Sequence, residues 1–218
     1  ERMVFLGDIV GYGADPEWCV DMVREHCARG ELALLGNHDE ATFRRDPDMN
    51  ESAMAAIRWT KERLDEGQSE FLRALPMTHA EGEYLFVHAS AAAPGHWNYI
   101  TQPRDAEKSL RYTQQRVTIC GHTHQPKLFH ALPGRPAEVH IPRHGEPTPL
   151  LRQRRWVAVI GSVGQPRDGN PAAAYSVLDS GQGVLTQYRV PYDTSSAARK
   201  ILAAGLPARL ADRLHTGS

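Results

Sequence analysis

Apolar positions in this chain fall in short blocks that stop abruptly at glycine or a polar residue. Met3-Val4-Phe5-Leu6 runs into Gly7-Asp8, Leu32-Ala33-Leu34-Leu35 into Gly36-Asn37-His38-Asp39, Tyr84-Leu85-Phe86-Val87 into His88, and Val117-Thr118-Ile119-Cys120 into Gly121-His122-Thr123-His124. Blocks this short and continuous read as buried strands. Between the first two, Asp15-Pro16 supplies an N-cap and a first-turn proline, which predicts a helix to about Ala28. Trp18, Cys19, Met22, Val23 and His26 fall at helical spacing on its expected inner face. Strand, helix, strand implies a parallel pair joined by a right-handed crossover.

Helical spacing returns over 52–64, with Met54, Ile57, Trp59 and Leu64, and over 69–75, which ends at Pro76. Residues 77–80 and 84–87 flank Glu81-Gly82-Glu83 and predict a hairpin. The segment 91–102, holding Pro94, Gly95, Trp97 and Tyr99, has no period and is expected to loop over the strand ends; 105–112 reads as a helix. From Lys127 the texture changes to short β runs at 127–131, 137–141, 156–160, 174–178 and 184–190. Proline and glycine punctuate them, which predicts a largely antiparallel or mixed second sheet. Residues 194–204 and 207–214 close the chain as two helices, and with no repeat or linker in sight 1–218 is expected to form a single domain.

Composition narrows the functional classes. A chain of 218 residues is long enough for one large α/β domain. Its formal net charge of -1 offers no whole-protein field for nucleic acid or an anionic membrane, so neither a stable nucleic-acid partner nor a membrane is expected. No stretch approaches the ~18 apolar residues of a membrane span. Cys19, Cys27 and Cys120 are odd in number and lie in apolar segments, which suits buried thiols in a reducing cytoplasm.

Ligands of open α/β sheets bind beyond the carboxyl ends of strands. The four block endings would therefore gather a carboxylate, an amide and several imidazoles at one edge. Oxygen and imidazole ligands without thiolate suit Mn, Fe, Zn or Ni and argue against a structural zinc site built on cysteine. A lone His-x-His would carry little weight in a chain with 11 histidines.

Taken together, Gly7-Asp8 with Gly13, Gly36-Asn37-His38-Asp39, His88 and Gly121-His122-Thr123-His124 resemble the successive motifs of the calcineurin-like metallophosphoesterases. Gly161-Ser162-Val163-Gly164-Gln165-Pro166-Arg167-Asp168-Gly169 and the final helices extend the resemblance to the small bacterial phosphodiesterase branch. The resemblance implies a four-layer αββα sandwich, two mixed sheets flanked by helices, with two divalent metal ions, Mn foremost. Asp8 would bridge both; Asn37, His88 and His122 would complete one, and His124 would bind the other. The implied reaction is hydrolysis of a phosphodiester or nucleotide by metal-bound hydroxide, without a covalent intermediate and with His38 assisting the leaving group.

Two departures matter. Gly11-Tyr12 stand where protein Ser/Thr phosphatases of the superfamily carry an Asp-Arg pair, which disfavours a phosphoprotein substrate. No Asp-x-His motif precedes Asp8, so two expected ligands of the second metal are missing. An upstream strand carrying them is the expectation, because loss of a central strand leaves backbone unpaired.

Other residues carry plainer readings. Arg167, in a Gly/Pro-rich loop, would contact a substrate phosphate or form a structural salt bridge. Trp97 and Tyr99 would stack on an aromatic group of the substrate or pack as a lid. His26, His79, His130, His140, His144 and His215 are expected to be structural or solvated, and Arg152, Arg154 and Arg155 to form a solvated turn. The rival to an enzyme is a catalytically degenerate scaffold that keeps the fold and binds a protein partner. A nucleic-acid binder without catalysis would need a basic groove that the composition does not suggest.

Overall fold

All four apolar blocks that end in candidate ligands contain strands; 84–87 and 117–120 are buried throughout, 32–35 mostly so, and Val4–Phe5 is half-buried. The computed structural model describes residues 1–45 and 49–218. Its first half contains β1 (Val4–Phe5), α1 (Pro16–Ala28), β2 (Leu32–Ala33), α2 (Asn37–Ala41), α3 (Glu51–Lys61), α4 (Glu66–Ala74), β3 (Thr78–Glu81), β4 (Tyr84–Val87) and α5 (Pro103–Arg111). There follow β5 (Val117–Cys120), β6 (Lys127–Ala131), β7 (Glu138–His140), β8 (Pro147–Pro149), β9 (Arg155–Val159), β10 (Ala173–Asp179), β11 (Val184–Val190), α6 (Thr194–Ala203) and α7 (Ala208–Thr216).

Side-chain alternation sets the layers. Tyr84, Phe86, Val117, Ile119, Trp156 and Ala158 leave one face of a mixed sheet ordered β3-β4-β5-β9-β6-β7. They meet Leu32 and Leu34, Val4 and Leu6, and Leu178 and Leu185, which belong to a second layer made of the parallel pair β1-β2 and the antiparallel trio β10-β11-β8. The opposite face presents Val87, Cys120, Val157 and Val159 to Ala106 and Leu110 of α5. On the outside of the second layer, α3, α6 and α7 pack through Ala56, Ile201, Leu210 and Leu214, while Val20 of α1 meets Leu72 of α4. Helix, sheet, sheet, helix is the expected four-layer sandwich.

The β-rich half divides between two sheets, whereas its texture predicted one. β9 pairs in parallel with β5 and antiparallel with β6, so β6, β7 and β9 extend the first sheet and only β8, β10 and β11 lie apart. Four of the five residues of β9 are buried, which demands a central position with partners on both sides. The strand β8 lies outside the β runs read from the sequence; its two prolines are tolerated because it pairs along one edge only.

Helix α1 begins at Pro16 and ends at Ala28 as expected, yet its inner face is set by Val20 and Val23. Trp18 is 64% exposed, a correction to its expected place in the core. Asp15 makes no side-chain capping bond and instead pairs with Lys200 of α6 at 2.8 Å, linking two outer helices.

Among the described residues, β1 and β10 each have a strand partner on one side only. Residues of both strands line a cavity of about 700 Å³, which Met22, Val23, Ile201 and Leu214 close from the helical side. The cavity reaches Asp8, His38, His122 and His124. The three cysteines are unpaired, and burial pushes the Cys120 thiol up to about 12, so it serves as a small core residue. Among the described residues, no helix is long and apolar enough to cross a membrane.

Candidate metal centre

Glycines let the first two loops interlock. Gly7 has φ +91° where the chain leaves β1, and a Cβ there would come 2.7 Å from the Gly36 nitrogen and 2.8 Å from His88 Nδ1. A Cβ on Gly36 would meet the Asp8 nitrogen at 2.1 Å and Asp8 Oδ1 at 2.2 Å. Only bare backbone permits this approach. Asp39 then ties the loops together: its Oδ1 accepts from the Val10 amide at 3.1 Å and its Oδ2 from the Gly36 amide at 2.9 Å. The Asp8 Oδ1 accepts from the His38 amide at 2.9 Å, while its Oδ2 faces His88 at the end of the six-stranded sheet.

That sheet supplies the imidazoles. His88, after β4, donates from Nδ1 to the Leu6 carbonyl at 2.7 Å, a bond that crosses between the sheets and fixes the tautomer. Its Nε2 then faces His122 Nδ1 at 3.1 Å, Asn37 Oδ1 at 3.2 Å and Asp8 Oδ2 at 3.4 Å. His124 donates from Nδ1 to the Gln165 carbonyl at 2.6 Å, which leaves its Nε2 with a free lone pair. Asp8, His88 and His122 place ligand atoms within 4.8 Å of one another; among the described residues they form the one such group, and His124 stands outside it. Asp8, His122 and His124 have φ of 54°, 65° and 60°, a left-handed backbone that non-glycine residues rarely adopt.

Electrostatics keep Asp8, His122 and His124 in ligand form. Burial opposes the Asp8 charge, but the imidazoles of His88 and His38 and their hydrogen bonds hold its carboxyl far below the ordinary range. Burial, aided by His88, lowers His122 to about 3; burial, aided by Arg167, lowers His124 to about 4. Both are therefore neutral imidazoles at neutral pH. Burial and the neighbouring Asp8 charge raise Asp39 to about 7. For His88 burial pulls down, and the Asp8 carboxylate more than compensates.

The arrangement fits a cation. With its proton on Nδ1, His88 turns an Nε2 lone pair toward three other lone-pair-bearing atoms. A proton placed there could serve one of those contacts, whereas a divalent ion serves all four atoms. An acid oxygen, an amide oxygen and two imidazoles without thiolate suit Mn, Fe, Zn or Ni.

His38 is buried beside this group, and its Nδ1 has no hydrogen-bond partner among the described residues. Its ring is seated sterically: Tyr12 lies 4.4 Å away between ring centroids, and a Cβ on Gly11 would touch Nδ1 at 2.6 Å. Arg167 stands over Tyr12 at 5.4 Å. Among the described residues it has no carboxylate partner; Nε and Nη2 share Gln165 Oε1 at 3.2 and 2.9 Å, so the structural salt bridge is not formed. The loop 91–102 does cover the centre: Tyr99 stacks on His122 at 4.2 Å, and Trp97 edges His88 at 5.7 Å while donating to Glu40 at 3.0 Å.

Sequence reasoning brought Asp8, Asn37, His38, His88, His122 and His124 to one place, with Arg167 near them. It assigned no role to Asp39, Tyr12 or Gln165. The position of Asp39 directly after His38 was a usable signal; Gln165 acts through its backbone carbonyl, which no residue type announces. The histidines read as structural lie elsewhere, such as His144, which accepts from the Arg189 amide at 2.9 Å. Arg155 is no solvated turn residue, since it donates to the carbonyls of Thr113 and Gln115 at 2.7 and 2.9 Å.

Comparison with known proteins identifies a family and a fold. A family model, the calcineurin-like phosphoesterase superfamily domain, matches residues 1–183. An uncharacterized protein of Methanocaldococcus jannaschii is 31% identical over 224 residues, covering 100% of this chain and 87% of its own length. The crystal structure of a metallophosphoesterase from Sphaerobacter thermophilus matches with a TM-score of 0.87 at 32% identity, over 100% of this chain and 88% of that one. A hypothetical protein from Pyrococcus horikoshii shares the fold, with a TM-score of 0.78 at 19% identity over 100% of this chain and 86% of its own.

Proposed function

The chain belongs to the calcineurin-like phosphoesterase superfamily, and from that premise we propose a metal-dependent phosphoesterase that cleaves a phosphodiester or a nucleotide. The observation that carries the reading is the convergence of Asp8, Asn37 and His122 on His88 Nε2 within 3.1 to 3.4 Å. Those four residues would hold one divalent ion, and His124 with Asp8 a second, Mn being the first choice. Bound there, the ions would neutralise phosphate charge and acidify water.

The chain's own residues supply the rest. His38, buried and unpartnered at Nδ1, is placed to hydrogen-bond the leaving oxygen and return a proton to it. Arg167 offers a fixed guanidinium to a non-bridging phosphate oxygen. Tyr99 spends one face on His122 yet is 55% exposed, so an aromatic group of the substrate has a surface to lie against. Tyr12 fills the space above His38 where a phosphoprotein phosphatase would need an acid and an arginine, which favours a diester or nucleotide over a phosphoprotein. Three unpaired cysteines suit a reducing cytoplasm.

The test combines metal analysis with hydrolysis of a bis-aryl phosphate and a dinucleoside polyphosphate panel in Mn²⁺. Asp8→Asn is expected to lose metal and activity together. His38→Gln is expected to keep metal while kcat falls by about 10² to 10⁴; full turnover in that variant removes the assignment. Wild-type protein that neither holds metal nor hydrolyses any of these compounds would instead be the degenerate scaffold.

A further inference from the structure

On the loop that follows β9, Arg167 is locked to the ligand loop. Its amide donates to the His124 carbonyl at 3.1 Å, its carbonyl accepts from Gln125 Nε2 at 2.9 Å, and Gln165 next to it orients His124 at 2.6 Å. The side-chain oxygen of Gln165 accepts from Arg167 and also lies 3.5 Å from Arg213 Nη1, contributed by α7. Two half-buried guanidiniums thus converge on one neutral oxygen. Neither has an acidic partner within ion-pair distance among the described residues.

Such a pair is costly to hold without an anion. Burial first, and then the charges of Arg167 and Arg209, weaken the hold of Arg213 on its proton, with Tyr12 opposing them. Helix α7 is nevertheless pinned in this position: the Gly169 amide donates to the Gly217 carbonyl at 2.7 Å, and a Cβ on Gly217 would strike the Asn170 backbone at 2.6 Å. Among the described residues, the Nε2 of Gln165 is buried without a hydrogen-bond partner. Arginine forks without carboxylates recognise phosphate oxygens.

We propose that Arg213 and Arg167 form a subsite for a second phosphate, so that the substrate carries another phosphate beyond the one cleaved. The inference deepens the phosphoesterase reading and rests on it for the position of the first phosphate. Arg167 is bonded to the backbone of the candidate ligand His124, and Arg213 shares the Gln165 oxygen with Arg167, so a phosphoanhydride chain that starts at the centre would meet Arg167 first and Arg213 beyond it. Nucleoside diphosphates and dinucleoside polyphosphates belong to this class; simple bis-aryl phosphates do not.

Calorimetric titration of Mn-loaded, desalted protein with orthophosphate and with methylenediphosphonate, a hydrolysis-resistant two-phosphorus ligand, separates the possibilities. Wild type is expected to prefer the diphosphonate, and Arg213→Met to reduce the ratio of the two affinities about tenfold. Arg213→Lys, which keeps the charge without the fork, is expected to recover part of that ratio. An unchanged ratio in Arg213→Met, whether both affinities fall or neither does, overturns the subsite. So does binding of two orthophosphates per wild-type chain with no preference for the diphosphonate, which would mark a separate anion site. Absence of hydrolysis with the ratio effect intact would sink the phosphoesterase reading alone, while hydrolysis with an unaffected ratio would sink the subsite alone.

Discussion

At the residue scale, the centre is built from conformations that side chains avoid. Among the described residues, the non-glycine positions with positive φ are Asp8, Ala93, Trp97, His122 and His124: three candidate ligands and two members of the covering loop. Each such position costs on the order of 1 kcal/mol or more, so the surrounding contacts must hold it. Gly11 tests this directly. At φ +144° it lies against His38, whose Nδ1 has no hydrogen bond to restore the ring if it is pushed. Gly11→Ala is expected to lower kcat by about tenfold to a hundredfold while metal content stays at the wild-type level. Parallel metal analysis and steady-state kinetics check it, and an unchanged kcat would mean that His38 is seated by something other than this contact.

At the element scale, burial was readable from the chain and partnership was not. The blocks ending at Asp8, Asn37, His88 and His122 stand out because a strand covered on both faces leaves no polar alternation, and Asp15-Pro16 announces the start of α1. Which face of α1 turns inward was misjudged at Trp18, since several large apolar residues competed and packing chose Val20 and Val23. The insertion of β9 between β5 and β6 was invisible because periodicity reports exposure and says nothing of neighbours. One polar device secures that order. Arg116 grips Glu83 with Nε at 2.6 Å and Nη2 at 2.9 Å, and its Nη1 donates to the Leu150 carbonyl at 2.8 Å, so the β3-β4 turn, β5 and the approach to β9 are joined. The hydrogen bond and charge of Arg116 hold the Glu83 carboxyl below its ordinary value. A depressed carboxyl stabilises the fold above its unfolded pKa, about 4.3, and that contribution is lost as pH falls through the folded value. Glu83→Gln is accordingly expected to lower the melting temperature at pH 7 by the equivalent of about 1 kcal/mol or less, with the two proteins converging in strong acid. Melting curves from pH 7 downward decide it; a gap that widens in acid contradicts the assignment.

At the scale of the whole molecule, the candidate ligands straddle the join between two sheets. Asp8 and Asn37 follow β1 and β2 in one layer, while His88 and His122 follow β4 and β5 in the other. The Leu6 carbonyl to His88 bond tethers them at this point, and an apolar cavity lies beside it between β1 and β10. A metal ion held by Asp8, Asn37, His88 and His122 would therefore act as a clip across the sandwich, and its binding energy would appear as stability of the whole fold. The ligand group is uneven, because His124 lies outside the cluster that Asp8, His88 and His122 form. The 218-residue chain is thus expected to keep about one equivalent of divalent metal through desalting, with a second held far more weakly. Saturating the first site at about 100 times its Kd should raise stability by about 2.7 kcal/mol, read as a higher melting temperature that a chelator reverses. Asp8→Asn should abolish that rise, whereas a substitution of His124 should leave most of it in place. Equal losses in the two variants would show that the clip is made by both metals together and that the division of ligands is wrong.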